Sequence, residues 1–222
     1  MTVIKTPAVH GAEFNKSEYE SVSDLWDTYP ALRKSVLFDL PEPFGSEIEM
    51  YKDRSGMEGR YGSHLVVLYY GQIHSEMRRL EDHASVYQAE LVAIHMALTW
   101  TLKLKEVKSI NIYSDSRSAL QALADPSNTS ELVLEFKRMH ELATARRMVY
   151  LHWLKAHVGY LGNVLADESA KDATKIGDVG WTWKKPRSRI IKDLKELQLS
   201  GRFAGLLAPK AGLLLSSYQM SI

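Results

Sequence analysis

The sequence contains no cysteine, which removes disulfides, thiolate nucleophiles and thiolate metal sites together. That absence fits a reducing compartment; within the cell, the sequence does not choose between cytoplasm and nucleus. No stretch approaches the ~18 apolar residues of a membrane span, so no membrane partner is expected. The apolar run Leu213–Leu215 is far too short. Met1 to Lys16 lacks a basic segment followed by an apolar one, and no secretory signal is read there. A strong charge of one sign is missing as well: the net charge is +1, which neither favours nor excludes a polyanionic partner.

What is present is the composition of a folded globular domain, 45% apolar and 25% charged over 222 residues. The charge is unevenly spread. Residues 1–46 carry four Lys or Arg against seven Asp or Glu, whereas 184–210 carry eight basic residues against two acidic. The basic end could touch phosphates, although a single basic run is more often a solvated face.

Residues 1–46 hold Pro7, Pro30, Pro41 and Pro43 with no sustained period, which predicts a lead-in segment with one helical turn at Ser21 to Trp26. From Glu47 the pattern changes. Ile48 and Met50 alternate with charged residues, Ser63 to Tyr70 is β-branched and aromatic, and Gln72 to Arg79 follows across Gly71, predicting three strands, the last two joined as a hairpin. Ala84 to Leu104 has helical apolar spacing, with Leu91, Ile94, Leu98 and Leu102. Ser109 to Tyr113 reads as a fourth strand, Ser116 to Ala124 and Ser130 to Arg146 as helices split at Asp125-Pro126, Val149 to Trp153 as a fifth strand, and Asn163 to Ala173 as a last helix. Hairpins followed by alternating strand and helix predict an α/β domain over 47–176 with a five-stranded mixed sheet, antiparallel at one side and parallel where helices cross over. Residues 177–222 read as a basic tail, partly helical or disordered.

Four acids sit where a strand ends or a helix faces the sheet: Asp53 after the first strand, Glu90 on the long helix, Asp115 after the fourth strand and Asp167 on the last helix. Neighbouring parallel strands end side by side, so Asp53 and Asp115 can come within a few ångströms. Two such carboxylates repel unless a cation lies between them. Magnesium suits an all-oxygen site completed by substrate phosphate, and two ions about 3.5–4 Å apart serve in-line displacement at phosphorus. Taken singly, Asp53 also reads as a turn residue, Asp115 as a helix N-cap, and Asp167 beside Glu168 as a charged helix surface. Glu90, among Leu91, Ala93 and Ile94, is harder to place in solvent. His157, in a loop after the fifth strand, could shuttle a proton. A zinc site at His152 and His157 is rejected, because they share no helical face and no third ligand is evident.

The motifs resemble type 1 ribonuclease H, and in detail the ribonuclease H domains of non-LTR retrotransposon polyproteins. The matching stretches are Tyr51-Lys-Asp-Arg-Ser55 with Gly62, Ala89-Glu-Leu-Val-Ala-Ile94, Ile112-Tyr-Ser-Asp-Ser-Arg-Ser-Ala-Leu120, and the run from Trp153 to Ala170. The resemblance implies the ribonuclease H-like fold, with Asp53, Glu90, Asp115 and Asp167 binding two Mg2+ ions, or Mn2+ in their place. His157 would assist proton transfer or product release, and Ser116 and Asn163 would contact substrate. That substrate would be an RNA/DNA hybrid whose RNA strand is hydrolysed. The implied setting is a monomer, or a piece of a polyprotein that also carries a reverse transcriptase. A fold kept for binding nucleic acid without cutting it is the competing reading, and another nuclease or transferase of the superfold, or an interaction module, is a third.

Two departures stand out. Lys52-Asp53-Arg54-Ser55 replaces the usual Thr-Asp-Gly-Ser, and no extra basic helix lies between Asp115 and His157. If Arg54 adopts the positive φ that glycine permits, it is strained. Its guanidinium can also fold back on Asp53 or a neighbouring carboxylate.

Overall fold

The computed structural model describes residues 15–25, 27–40, 47–57, 59–155 and 161–199. Within it, strands β1 (Ile48–Met57), β2 (Arg60–Tyr69) and β3 (Gln72–Arg79) precede helix α1 (Val86–Lys103) and strand β4 (Ser109–Ser114). Helices α2 (Arg117–Ala124) and α3 (Glu131–Thr144), strand β5 (Met148–Trp153), and helices α4 (Leu161–Ala173) and α5 (Arg189–Leu199) follow. The sheet order is β3-β2-β1-β4-β5. β1–β2 and β2–β3 are antiparallel, while β1–β4 and β4–β5 are parallel. This is the mixed five-stranded α/β architecture of the ribonuclease H-like fold.

Local sequence explains the elements. Tyr70 and Gly71 both have positive φ, the backbone that a two-residue hairpin turn requires to match strand twist. α1 begins with a reciprocal Ser85–Gln88 capping box, which satisfies two backbone N–H groups at its start. Its end is held by Arg147, whose guanidinium donates to the carbonyls of Thr101 and Leu104.

The two faces of the sheet have different partners. Side chains alternate along a strand, so Ile48 and Met50 pack with Leu91, Ile94 and Leu98 of α1, and with Phe136 of α3, in the main core. Tyr51 points the other way, into a smaller cluster with Val66, Tyr113 and Ala166 of α4. α4 lies so close there that Gly162 has no room for a Cβ against the Tyr51 ring.

The compact unit runs from Glu20 to Pro186, wider than the 47–176 drawn from the sequence. No helix forms at the described part of Ser21 to Trp26; Val22 instead bridges Ser130, and short 3-10 turns occur at Lys16–Glu18 and Pro30–Arg33. Phe38 bridges Leu151 and the Asp39 N–H donates to the Leu151 carbonyl, so the lead-in covers the β5 edge. Covering an edge removes an open row of backbone hydrogen-bonding groups. After α4, Trp181 bridges Leu80, and Trp181 and Trp183 pack against the main core. Trp181 also meets His95 and Phe136 edge-on or tilted. Gln88 joins the two flanks by donating to both Glu20 and the Lys184 carbonyl. A separate unit takes in the described residues up to Tyr19 and those from Arg187 to Leu199; within it, α5 pairs Arg189 with Asp193 and Lys192 with Glu196. Among the described residues no helix is long and apolar enough to cross a membrane.

Candidate active site

β1 is longer than its sequence pattern indicated. Asp53 lies inside it, opposite His64 of β2, rather than in a turn after it. β1 and β4 run parallel to the pair Lys52–Ser114, which leaves Asp53 and Asp115 one step further along adjacent strands. The carboxyl ends of parallel strands are where α/β folds place their sites. Asp115 is not the N-cap of α2: that role belongs to Ser116, whose hydroxyl accepts from the Ala119 N–H at 3.4 Å. The Asp115 carbonyl accepts from the Trp153 indole at 3.1 Å, and Arg117 lies 5.5 Å over that indole ring. Glu90 comes from α1 and is buried, as its apolar neighbours required.

The cluster forms around a cation, Lys52, rather than around the acids alone. Lys52 shares the core face with Ile48 and Met50 and is fully buried. Its ammonium pairs with Oε2 of Glu90 and lies 3.5 Å from Oδ1 of Asp115. The Arg54 Nε takes the other Glu90 oxygen, Oε1, at 2.7 Å. Arg54 continues β1 opposite Ser63, and the described non-glycine residues with positive φ are Asp39, Tyr70 and Glu106. The backbone strain expected of Arg54 is therefore absent, because the strand runs on through it, while the expected fold-back onto a carboxylate is present. Asp53 faces the α4 side and accepts from the Arg54 N–H at 2.7 Å. Burial, and then the charge of Asp115, push its carboxyl up to about 7.

These groups test the fit of a divalent cation. The donors are hard oxygens, which suits Mg2+, and Asp115 Oδ1 is buried with no hydrogen-bond partner among the described residues. The charge does not fit as arranged, since Lys52 and Arg54 already serve both oxygens of Glu90 and the near side of Asp115. Among the described residues no three His, Asp or Glu side chains are grouped to hold an ion.

The RNase H family model matches residues 45–175, more than half of the chain. The chain belongs to the RNase H family. No curated protein matches it. Membership supports a nucleic-acid-directed hydrolase, in a family that generally uses divalent metals. Of the remaining candidate site residues expected from the sequence, His157 lies outside the described residues of this RNase H domain. Asn163 and Asp167 lie on α4, with side chains outside the description. Ala166, next to Asp167, is in the cluster with Tyr51 on the Asp53 side of the sheet, and its carbonyl is 3.1 Å from His64 Nδ1. His152 is buried and 3.3 Å from the Asn111 amide oxygen.

Lys52 had a signal in the sequence. It continues the alternation of Ile48 and Met50, so period two alone assigns it to the core face. A lysine assigned to a core requires acid partners.

Proposed function

We propose that this RNase H domain is a metal-dependent endoribonuclease that hydrolyses the RNA strand of RNA/DNA hybrids, as part of a retrotransposon polyprotein that includes a reverse transcriptase. The observation that carries the reading is that Asp53 and Asp115 follow one another at the ends of neighbouring strands β1 and β4, near enough for the charge of Asp115 to raise Asp53, with Glu90 of α1 reaching Lys52 beside Asp115, within the stretch that the family model matches. In this reading Asp53, Glu90, Asp115 and Asp167 would hold two Mg2+ ions, or Mn2+, only once Lys52 and Arg54 give up Glu90 and Asp115. The chemistry supplied by bound divalent cations is activation of water and neutralisation of charge at phosphorus. His157, which precedes α4 in the sequence, would move a proton at the attacking or leaving oxygen. Ser116, at the N-cap of α2, and Asn163, on α4, would contact the hybrid, with 2′-hydroxyls marking the RNA strand.

A second reading, a fold that binds nucleic acid without cutting it, is favoured by one specific observation: two protein cations already occupy the acids. Incubation with labelled hybrid, single-stranded RNA and duplex DNA across a Mg2+ series separates the two. Magnesium-dependent loss of the RNA strand of the hybrid alone supports the nuclease, and hybrid retention without cleavage at any Mg2+ supports the second reading.

A further inference from the structure

We infer that Lys52 is a built-in cation that holds Glu90 and Asp115 together in place of metal, so that a divalent ion binds only by displacing it. The inference rests on the site proposed above and concerns what that site requires. Lys52 is buried without exposure. It lies in the central strand of the sheet between β2 and β4, where no rearrangement at the surface would free it. An ammonium in that position demands opposite charge within a few ångströms, and Glu90 and Asp115 supply it.

The dependence is mutual. Without Lys52, the buried Glu90 would face Asp115 with no cation between them, the arrangement that ordinarily draws in a metal ion. With Lys52 the pair is largely neutralised, and Arg54 adds a second positive charge at Glu90. An entering Mg2+ must take the Glu90 and Asp115 oxygens from the ammonium and leave a lysine to be housed elsewhere. Lys52 is thus a positioning residue for the empty site and a competitor for the filled one. It makes the fold independent of metal and the metal requirement high.

The test uses the full chain and Mn2+ as probe, with binding followed by paramagnetic resonance or calorimetry and Tm measured in chelator and in Mn2+. The wild type should bind Mn2+ weakly, in the millimolar range, with a Tm that chelator does not lower. Lys52→Met should bind Mn2+ on the order of tenfold or more tightly. Its Tm should fall in chelator and recover in Mn2+. Lys52→Arg, which keeps the charge, should stay weak. Equal affinity in wild type and Lys52→Met overturns the inference. Where Lys52→Met does not fold, the wild type decides alone, since a Kd below about 100 µM or a Tm that drops in chelator sinks the idea. Hybrid cleavage by the wild type at micromolar Mg2+ would overturn it while leaving the nuclease reading intact. Weak Mn2+ binding with no hybrid binding in chelator would uphold it while overturning the nucleic-acid reading.

Discussion

Neutralising Glu90 should destabilise this domain, the opposite of what relief of repulsion in a carboxylate cluster would do. In Glu90→Gln the shape of the side chain is kept, but Lys52 loses its closest counter-charge and Arg54 loses its partner. Removing one member of a buried pair costs roughly 3–5 kcal/mol when the other is left alone. Lys52 is not left alone, because Asp115 Oδ1 remains 3.5 Å away and the glutamine carbonyl still accepts a hydrogen bond. Arg54 is partly exposed and adds little, as screened pairs do. The net expectation is a loss of about 2 kcal/mol, seen as a Tm lower by roughly 4–8 °C for a domain of this size. Urea or thermal unfolding in chelator measures it directly. A double-mutant cycle with Lys52→Met isolates the coupling, which should account for most of the loss. A Glu90→Gln protein as stable as wild type, or more stable, would refute the reasoning and show that the acids repel one another more than Lys52 binds them.

Arg54→Gly should lower the Mg2+ needed for cleavage and speed it, because it frees Glu90 Oε1 without touching Lys52; a slower variant with an unchanged requirement would mean that the guanidinium helps the reaction. Asp53→Asn should abolish cleavage while keeping or raising Tm, since burial and Asp115 already disfavour that charge; a clear fall in Tm would count against this. Truncation after Ile176 should unfold or strongly destabilise the protein by removing Trp181 and Trp183. Truncation after Pro186 should leave unfolding nearly unchanged, and it should flatten the salt dependence of hybrid binding only if the basic end meets phosphate. Burial first, then Arg78, lowers His95 from the ordinary 6.5 to about 4. The unfolded chain therefore binds the extra proton between those values, and stability should fall by up to about 3 kcal/mol as pH drops through that window. His95→Phe should flatten that slope, and an equally steep profile would exclude the role.

The residues legible in the sequence were those whose element and facing follow from local pattern. Glu90 had apolar neighbours on both sides of a helix, so it could not be solvated, and it is not. Asp115 followed a short alternating strand whose parallel neighbour was predictable from the crossover. The flanks were hidden for different reasons. Residues 20–40 have no period because they attach at scattered points, by single bridges at Val22 and Phe38 and by isolated apolar residues such as Val36, which packs into the main core. Trp181 and Trp183 did carry a signal, two large apolar rings in a basic stretch, but the surrounding charge masked it. Lys52 is legible only through its place in the alternation of Ile48 and Met50, because a charge ordinarily marks an exposed position.

Lys52 also changes what the acids themselves can prove. Glu90 and Asp115 would be retained for folding even in a domain that never cut nucleic acid, because a buried lysine fails without them. Their presence is therefore weak evidence for chemistry. Asp53 is different. Its described hydrogen bond is the one from the Arg54 N–H, and its carboxyl is pushed up to about 7, which means that the fold works against its charge. A buried acid that the scaffold penalises is the kind of group found where a site must hold charge ready for a ligand. The case for catalysis thus rests on Asp53 more than on the better-buried Glu90, and the case against it rests on the residue immediately before Asp53 in the same strand.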